Sequence, residues 1–251
     1  MTQQAADLGF AFERIPAVDG RDVPEWLRSE FSAECEMRPG VIGCYASHLV
    51  AAQMVVSRGL PFAIVLEDDA QLKPDFISIA LRAVAAVPDD WDYLYLCSEG
   101  KKSVIRIGEI APGHSLVRFT WPPANAAAYA LSNRGARKWL APMARVRPND
   151  LDNRFSWLQN LKIYGVFPSI AVQNLALVST IRRGGPRPRW EPSNLKMLAG
   201  QIWTMREVGL RNFWAATLMN WVNSVRKRLD GTQRIAVIGT KESRTLRRTE
   251  T

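Results

Sequence analysis

Three acidic residues in a row directly after an apolar segment form the sharpest chemical feature of the sequence. Glu67, Asp68 and Asp69 follow the run Phe62-Ala63-Ile64-Val65-Leu66. Ligands of open α/β sheets bind at the carboxyl ends of strands, and carboxylates there suit a hard divalent cation such as Mg²⁺ or Mn²⁺. The same residues also suit a solvated loop or the start of a helix, where acidic side chains are favoured. Taken alone, the pattern leaves both interpretations open.

A cysteine and a histidine lie four residues apart in the segment Gly43-Cys44-Tyr45-Ala46-Ser47-His48. On a helix this spacing places Cys44 and His48 on one side. A structural zinc site usually needs four protein ligands, and the sequence has two histidines and no Cys-x-x-Cys pair. We therefore expect a core cysteine and a hydrogen-bonded histidine here, and not a zinc site.

Two further carboxylates, Asp150 and Asp152, follow Pro148 at a predicted boundary between a loop and a helix. Either side chain can cap the helix by accepting hydrogen bonds from its free amides. A general base for proton abstraction from a hydroxyl would look the same in sequence. Both roles stay open at this point.

The elements that position these residues alternate between helix and strand. The pattern predicts a helix over residues 43–57, a buried strand over 62–66, a helix from about residue 73 and a strand over 91–96. Such alternation favours an α/β fold with a mostly parallel sheet and flanking helices. Further predicted elements are strands at 10–15, within 104–130, at 163–166 and at 170–172, and helices at 134–140 and 152–161.

The positive charge of the chain is concentrated in its last part. Residues 182–251 contain 15 Lys or Arg against five Asp or Glu, whereas the preceding residues contain 18 against 19. This asymmetry favours an acidic surface as partner, with anionic lipid ahead of nucleic acid. Since no nucleic-acid-binding motif is present, we expect no nucleic acid partner.

The sequence after residue 183 changes in character. A basic Gly- and Pro-rich linker precedes two predicted helices, at 193–208 and 210–229, and the last dozen residues are expected to be disordered. The second helix has an apolar, Trp-containing face with Arg and Lys near its ends. A helix of this kind either lies on anionic lipid or packs on the domain, and the sequence leaves both open.

The chain start lacks the charged and apolar regions of a signal peptide. The three cysteines are not closely paired, which favours reduced thiols. No run of about 18 apolar residues is present, so no spanning helix is expected. The sequence thus predicts a cytoplasmic protein, which would contact the inner face of the inner membrane peripherally where the basic helix lies on lipid and not on the domain.

Five segments, in this order, resemble those of glycosyltransferase family 25, the lipopolysaccharide-biosynthesis galactosyltransferase-like enzymes. Joined to the Gly-Cys-x-x-Ser-His segment, the Glu-Asp-Asp run becomes fairly specific. The segments lie at residues 12–20, 43–48, 65–70, 127–136 and 148–150, the last followed by Ser179-Thr180-Ile181, so that the resemblance spans about residues 8–183.

The resemblance implies a GT-A-like nucleotide-diphospho-sugar transferase fold and assigns roles to the acidic residues. Asp69 is the first candidate ligand of a divalent metal, Mn²⁺ or Mg²⁺, supported by Glu67. Asp68 and Glu67 would contact the nucleotide, and Ser47 and His48 would line the nucleotide pocket or brace it. The resemblance also offers two candidates for the catalytic base. Asp150 aligns best with the family's Pro-x-Asp, and Asp152 is its close rival.

The implied activity is transfer of a hexose, most commonly galactose, from a UDP-sugar to a glycan or lipid-linked glycan acceptor, with inversion. Family members usually begin with a strand and loop of the kind Ile-Asn-Leu-Asp-Arg-x-x-x-Arg, and this sequence starts after it, inside the following helix. We therefore expect a catalytic domain at residues 1–183 without its first strand, and a C-terminal helical extension at 184–251. A misplaced start codon is favoured over a truncated, non-catalytic relative acting as a binding or scaffold protein.

Overall fold

The computed structural model describes residues 1–28, 39–98, 103–120, 123, 126–141, 161–174, 176, 201–202, 204–229 and 237–239. Residues 201–202 and 204–208 are helical in addition to the named elements. The elements are α1 (Thr2–Asp7), α2 (Glu25–Arg28), α3 (Pro39–Ser57), β1 (Phe62–Leu66), β2 (Ala70–Leu72), α4 (Phe76–Ala86), β3 (Tyr93–Tyr95), β4 (Val104–Ala111), β5 (His114–Phe119), β6 (Ala128–Ser132), α5 (Asn133–Leu140), β7 (Ile163–Phe167), β8 (Ala171–Gln173), α6 (Leu210–Leu229) and β9 (Val237–Gly239).

Seven of the described strands form one sheet in the order β1-β6-β3-β7-β5-β4-β9, and β2 pairs with β8 in a separate ribbon. The pairs β3–β7 and β4–β9 are parallel, and the other four pairs of the large sheet are antiparallel. Five strands therefore point one way, while β6 and β5 point the other. The α/β class is confirmed. The sheet is mixed, because β6 runs antiparallel between β1 and β3 and β5 runs antiparallel between β7 and β4.

Helices cover both faces of the sheet, and the strands divide their side chains between two apolar cores. Along β3, Tyr93 and Tyr95 enter the core that contains α3 and α5, whereas Leu94 enters the core that contains α4. In β6, Tyr129 and Leu131 lie with the first set and Ala128 and Ala130 with the second. The large residues of β6 thus face α3, because successive side chains of a strand point to opposite faces.

The segment before α3 crosses this helix at close range. The backbone amide of Val18 donates to Ser47 Oγ at 2.9 Å, and a Cβ on Gly43 would overlap the carbonyl oxygen of Val18. Residues 10–19 belong to no strand, so the predicted strand at 10–15 is wrong. The side chains of residues 11–14 are all exposed, and Glu13 pairs with Arg58 just beyond α3, so the apolar alternation of the sequence does not report a sheet here.

Part of the predicted C-terminal extension packs on the sheet. Phe213 and Ala216 of α6 are buried against Ile105 of β4, and β9 adds a strand beside β4. Buried Arg118 of β5 donates to Thr204 Oγ1 at 2.9 Å and forms an ion pair with Glu207 at 3.2 Å. These contacts attach residues 204–229 and 237–239 to the same sheet, while the domain boundary near residue 183 stays a prediction.

Among the described helices, α3 alone is long and apolar enough to cross a membrane by length and composition. Half of the relevant stretch is buried within the protein. Val41, Tyr45, Leu49 and Val55 of α3 are core residues. The helix therefore serves here as the central helix of the core.

Helix α5 rests directly on the start of β3 at Gly135. The amide of Gly135 donates to Ser132 Oγ at 3.0 Å, which caps the helix, and a Cβ at this position would overlap the carbonyl oxygen of Asp92. Asp92 is itself fully buried and accepts hydrogen bonds from Arg134, Lys138 and the amide of Lys162. The backbone of Asp92, which faces Gly135, is thus held in place by the hydrogen bonds of the buried Asp92 carboxylate.

We predict that Gly135→Ala lowers the free energy of unfolding by about 2 kcal/mol or more, because the added methyl must displace backbone. In an exposed helix the same change would stabilise by about 1 kcal/mol, so the sign of the effect is diagnostic. Urea unfolding measures it. The matched control is Gly108→Ala, where the new Cβ meets no atom within 4 Å; an equal loss in both variants would contradict the prediction.

Candidate active site at the carboxyl end of β1

The acidic turn lies between the large sheet and the small ribbon. The amide of Glu67 continues the β1–β6 pairing by donating to the carbonyl of Ala127 at 2.8 Å. The Glu67 carbonyl accepts from Ala70 at 3.1 Å, which closes the turn, and the Asp69 carbonyl accepts from Asn174 beside β8 at 2.8 Å. The backbone of the turn is therefore fixed on both sides, as a site that must hold two carboxylates requires.

The Glu67 side chain is held by a histidine from α3. His48 Nε2 lies 3.0 Å from Glu67 Oε1, and His48 Nδ1 lies 2.9 Å from the hydroxyl of Tyr129 in β6. The imidazole is 5% exposed and stacks on Trp139 with 6.2 Å between ring centroids. Both ring nitrogens are thus used, and one Glu67 oxygen has a fixed position.

Electrostatics favour the charged form of His48. Burial works against protonation, but the contacts with Tyr129, Cys44 and Glu67 outweigh it, so the pKa of His48 is raised well above 6.5. Burial also raises the pKa of Tyr129, which keeps its hydroxyl neutral. We therefore assign an imidazolium that donates to Glu67 on one side and to the Tyr129 oxygen on the other.

Cys44, His48 and Glu67 bring three potential metal-ligand atoms within 4.8 Å of one another. Thiolate and imidazole favour zinc or softer ions, and the direct bond between His48 and Glu67 occupies the nitrogen that a metal would need. Cys44 is a free thiol whose sulfur lies 3.9 Å from Glu67 Oε1. The contacts of this group fit a hydrogen-bonded brace for Glu67.

Asp69 shows the opposite situation, because half of its carboxylate has no protein partner. Oδ2 accepts from Gln173 Nε2 at 2.8 Å, whereas Oδ1 is buried and has no hydrogen-bond partner in the described part of the chain. A buried carboxylate oxygen without a partner is costly, and at a functional site it is explained by a ligand or ion that completes it. An oxygen of this kind fits a hard cation such as Mn²⁺ or Mg²⁺.

The pKa of Asp69 is raised from its ordinary value of 3.8. Burial is the main cause; the bond from Gln173 opposes it, and the neighbouring Glu67 and Asp68 carboxylates add to it. The ionised form of Asp69 is therefore less favourable in the folded protein than in the unfolded chain. A bound cation would reverse this balance.

The other candidate residues have different surroundings. Asp68 is exposed at the tip of the turn. The Ser47 hydroxyl donates to the Gly43 carbonyl at 2.7 Å and accepts from Val18, so it ties the N-terminal segment to α3. Asp150 and Asp152 lie outside the described residues. The nucleotide-binding roles of Asp68, Ser47 and His48 and the catalytic roles of Asp150 and Asp152 stay predictions.

Two residues of the site received no role from the sequence. Tyr129 holds His48, and its position within a buried strand gave no sign that its hydroxyl reaches a histidine 81 residues away. Gln173 orients Asp69 across 104 residues of sequence, through the pairing of β2 with β8. A polar residue at the end of a short strand is the only local signal, and it is common on protein surfaces.

Fold and site together define an α/β protein with an acidic turn at the carboxyl end of a strand, the place and the residue types of a metal–diphosphate site. The family model of glycosyltransferase family 25 (LPS biosynthesis protein) matches residues 1–152. The chain belongs to this family.

Relatives of the chain include proteins of quite different sizes. It is 30% identical to the "Inactive glycosyltransferase 25 family member 3" of Mus musculus, over 62% of the chain and 31% of that protein. It is 31% identical to "Procollagen galactosyltransferase 1" of Danio rerio, over 44% and 19%. The identity to a "Putative glycosyltransferase" of Haemophilus influenzae is 24%, over 70% and 66%. The chain thus spans about a third of the length of the mouse relative.

We predict that Asp69→Asn leaves the free energy of unfolding at neutral pH unchanged or slightly higher. Since the folded-state pKa of Asp69 is raised, ionisation of Asp69 costs stability above that pKa, and the cost disappears as pH falls below the unfolded value. The advantage of the variant should therefore be larger at about pH 7 than at about pH 3.5, which lies below the ordinary Asp69 pKa of 3.8. Urea unfolding at the two pH values measures it.

Glu67→Ala serves as the contrast within the same turn. It leaves His48 Nε2 buried without its carboxylate, which should cost about 1–3 kcal/mol. If Asp69→Asn destabilised the protein as much as Glu67→Ala does, the Asp69 carboxylate would be an ordinary structural group and our account of the turn would be wrong.

Proposed function

We propose that the protein is a metal-assisted glycosyltransferase of GT-A-like fold that transfers a hexose, galactose foremost, from a UDP-sugar to a hydroxyl of lipopolysaccharide or another cell-surface glycan. Membership of family 25 supports transfer of a sugar. The similarity to the procollagen galactosyltransferase of Danio rerio supports galactose. The observation that carries the proposal is the buried, unpartnered oxygen of Asp69 beside a Glu67 carboxylate that His48 holds in place.

In this proposal Asp69 and Glu67 hold a divalent cation, Mn²⁺ or Mg²⁺. The cation supplies Lewis-acid stabilisation of the charge that grows on the UDP leaving group. Gln173 keeps Asp69 Oδ2 occupied, so Oδ1 is the oxygen that remains for the cation. Asp68, exposed at the tip of the turn, is suited to contact the ribose from the solvent side.

The chemical step needs one group besides the cation site. A carboxylate, Asp150 or Asp152, accepts the proton of the acceptor hydroxyl while its oxygen forms a bond to the sugar C1 and the bond from C1 to the UDP oxygen breaks. Attack from the face opposite UDP inverts the anomeric configuration. Both residues lie within the part of the chain that matches the family.

A second candidate function is a non-catalytic sugar-nucleotide-binding or scaffold protein. The observation in its favour is that the mouse relative carries the word "inactive" in its name. The two candidates differ in turnover and not in the geometry of the acidic turn, so a binding measurement and an activity measurement together separate them.

We predict that UDP binds in the presence of Mn²⁺ and that Asp69→Asn weakens this binding by at least about tenfold, because it removes a charged ligand of the cation. Isothermal titration calorimetry with and without Mn²⁺ measures it. The matched control is Asp89→Asn. Asp89 is an exposed acid before the start of β3, at the end of the strands opposite to the acidic turn, so this variant should bind UDP as the parent does.

Hydrolysis of UDP-galactose in the absence of an acceptor then reports catalysis. Metal-dependent binding together with release of UDP supports the transferase. Metal-dependent binding without turnover, with or without a glycan acceptor, supports the non-catalytic candidate. Two outcomes would contradict a cation site at the acidic turn. One is an equal loss of UDP binding in Asp69→Asn and Asp89→Asn, and the other is a UDP affinity that is the same with and without Mn²⁺.

A further inference from the structure

Helix α6 presents two faces of different character. Phe213, Ala216 and Asn223 are buried, whereas Leu210, Trp214, Leu218 and Trp221 are exposed by 64%, 60%, 58% and 64%. The exposed four are spaced by four, four and three residues, which places them in one stripe along the helix. The single apolar, Trp-containing face predicted for residues 210–229 is therefore divided: Phe213 is buried, whereas its neighbour Trp214 is exposed.

The orientation of this helix is fixed by polar as well as apolar contacts. Asn220 Oδ1 accepts from the amide of Ser103 at 2.7 Å, and Asn220 Nδ2 donates to Thr120 Oγ1 at 3.1 Å. Together with the buried Phe213, these bonds hold the helix against the sheet, so the stripe cannot rotate inward without breaking them. The two tryptophans and two leucines therefore face outward as a fixed property of the fold.

The charge of α6 identifies what this stripe fits. The helix contains four basic residues and no acidic residue over its 20 positions. Arg211 is exposed near one end of the stripe, and the other three basic residues occupy the last helical turn, at 226–228. Tryptophan and leucine between basic residues match a membrane interface, where apolar side chains enter the lipid and cations meet anionic headgroups.

We propose that the Leu210–Trp214–Leu218–Trp221 stripe of α6 binds to the surface of an anionic phospholipid membrane. A second copy of the chain fits less well, because two such helices would bring like charges together. The helix would then lie parallel to the bilayer, with its Phe213 side still on the sheet. This surface is separate from the acidic turn, so the proposal does not depend on the proposed transferase activity.

The test uses the full chain and co-sedimentation with phosphatidylcholine vesicles, with and without phosphatidylglycerol. We expect binding to the anionic vesicles at low salt. The double variant Trp214→Ala/Trp221→Ala should lower the partition coefficient at least about tenfold, because the aromatic rings supply most of the inserted apolar area. Trp26→Ala, which removes another exposed tryptophan (48%) outside α6, is the matched control and should bind as the parent does.

Three outcomes would overturn the proposal. The first is absence of binding to anionic vesicles by the parent chain at low salt. The second is binding that the double variant retains, which would assign lipid contact to other basic segments. The third is self-association of the parent, seen by sedimentation velocity without lipid and lost in the double variant, which would assign the stripe to a second copy. Since both tryptophans are exposed, circular dichroism should show an unchanged fold in the variant.

Discussion

The reversed strand β6 between β1 and β3 is the constraint on which the candidate site depends. The carbonyl of Ala127, the residue before β6, accepts a hydrogen bond from the amide of Glu67 and so extends the pairing of β1 into the acidic turn. The second residue of β6, Tyr129, places a hydroxyl against His48, and its last residue, Ser132, caps α5, whose Trp139 stacks on the same imidazole. One strand therefore sets the position of the turn, the histidine and the helix behind it. A shift of its register by one residue would move Tyr129 to the α4 side and remove the support of Glu67.

The two carboxylates of the turn have different energetic roles. Glu67 is partly exposed and faces a buried imidazolium, and this contact stabilises the folded chain and fixes one carboxylate oxygen. Asp69 is kept partly desolvated, with one oxygen satisfied by Gln173 and the other left without a partner. The turn thus combines one carboxylate whose position is held by His48 with a second carboxylate whose ionised form is destabilised by burial.

Much of the fold could be predicted from the sequence, because β1, β3, β7, α3, α4 and α5 have strong local patterns in apolar runs or helical spacing. The short strands β2 and β9 were not predicted, because their strand character comes from pairing with β8 and β4, which are distant in sequence. The segment at 10–15 imitates a strand in sequence because alternation of residue types does not reveal whether a ladder partner exists. The reversed direction of β6 left no local trace, because direction depends on which strands meet after the helices have packed.

The candidate site was predicted as far as its backbone position and no further. Glu67 and Asp69 follow an apolar strand, and this order alone places them at the carboxyl end of that strand. What distinguishes the two side chains comes from residues distant in sequence, His48 and Tyr129 on one side and Gln173 on the other. The same limit applies to α6, whose apolar residues fit one broad face in sequence until Ile105 and Asn220 determine which of them are buried. The types of residue therefore indicate which chemistry is possible, whereas the role of each individual residue depends on its tertiary contacts.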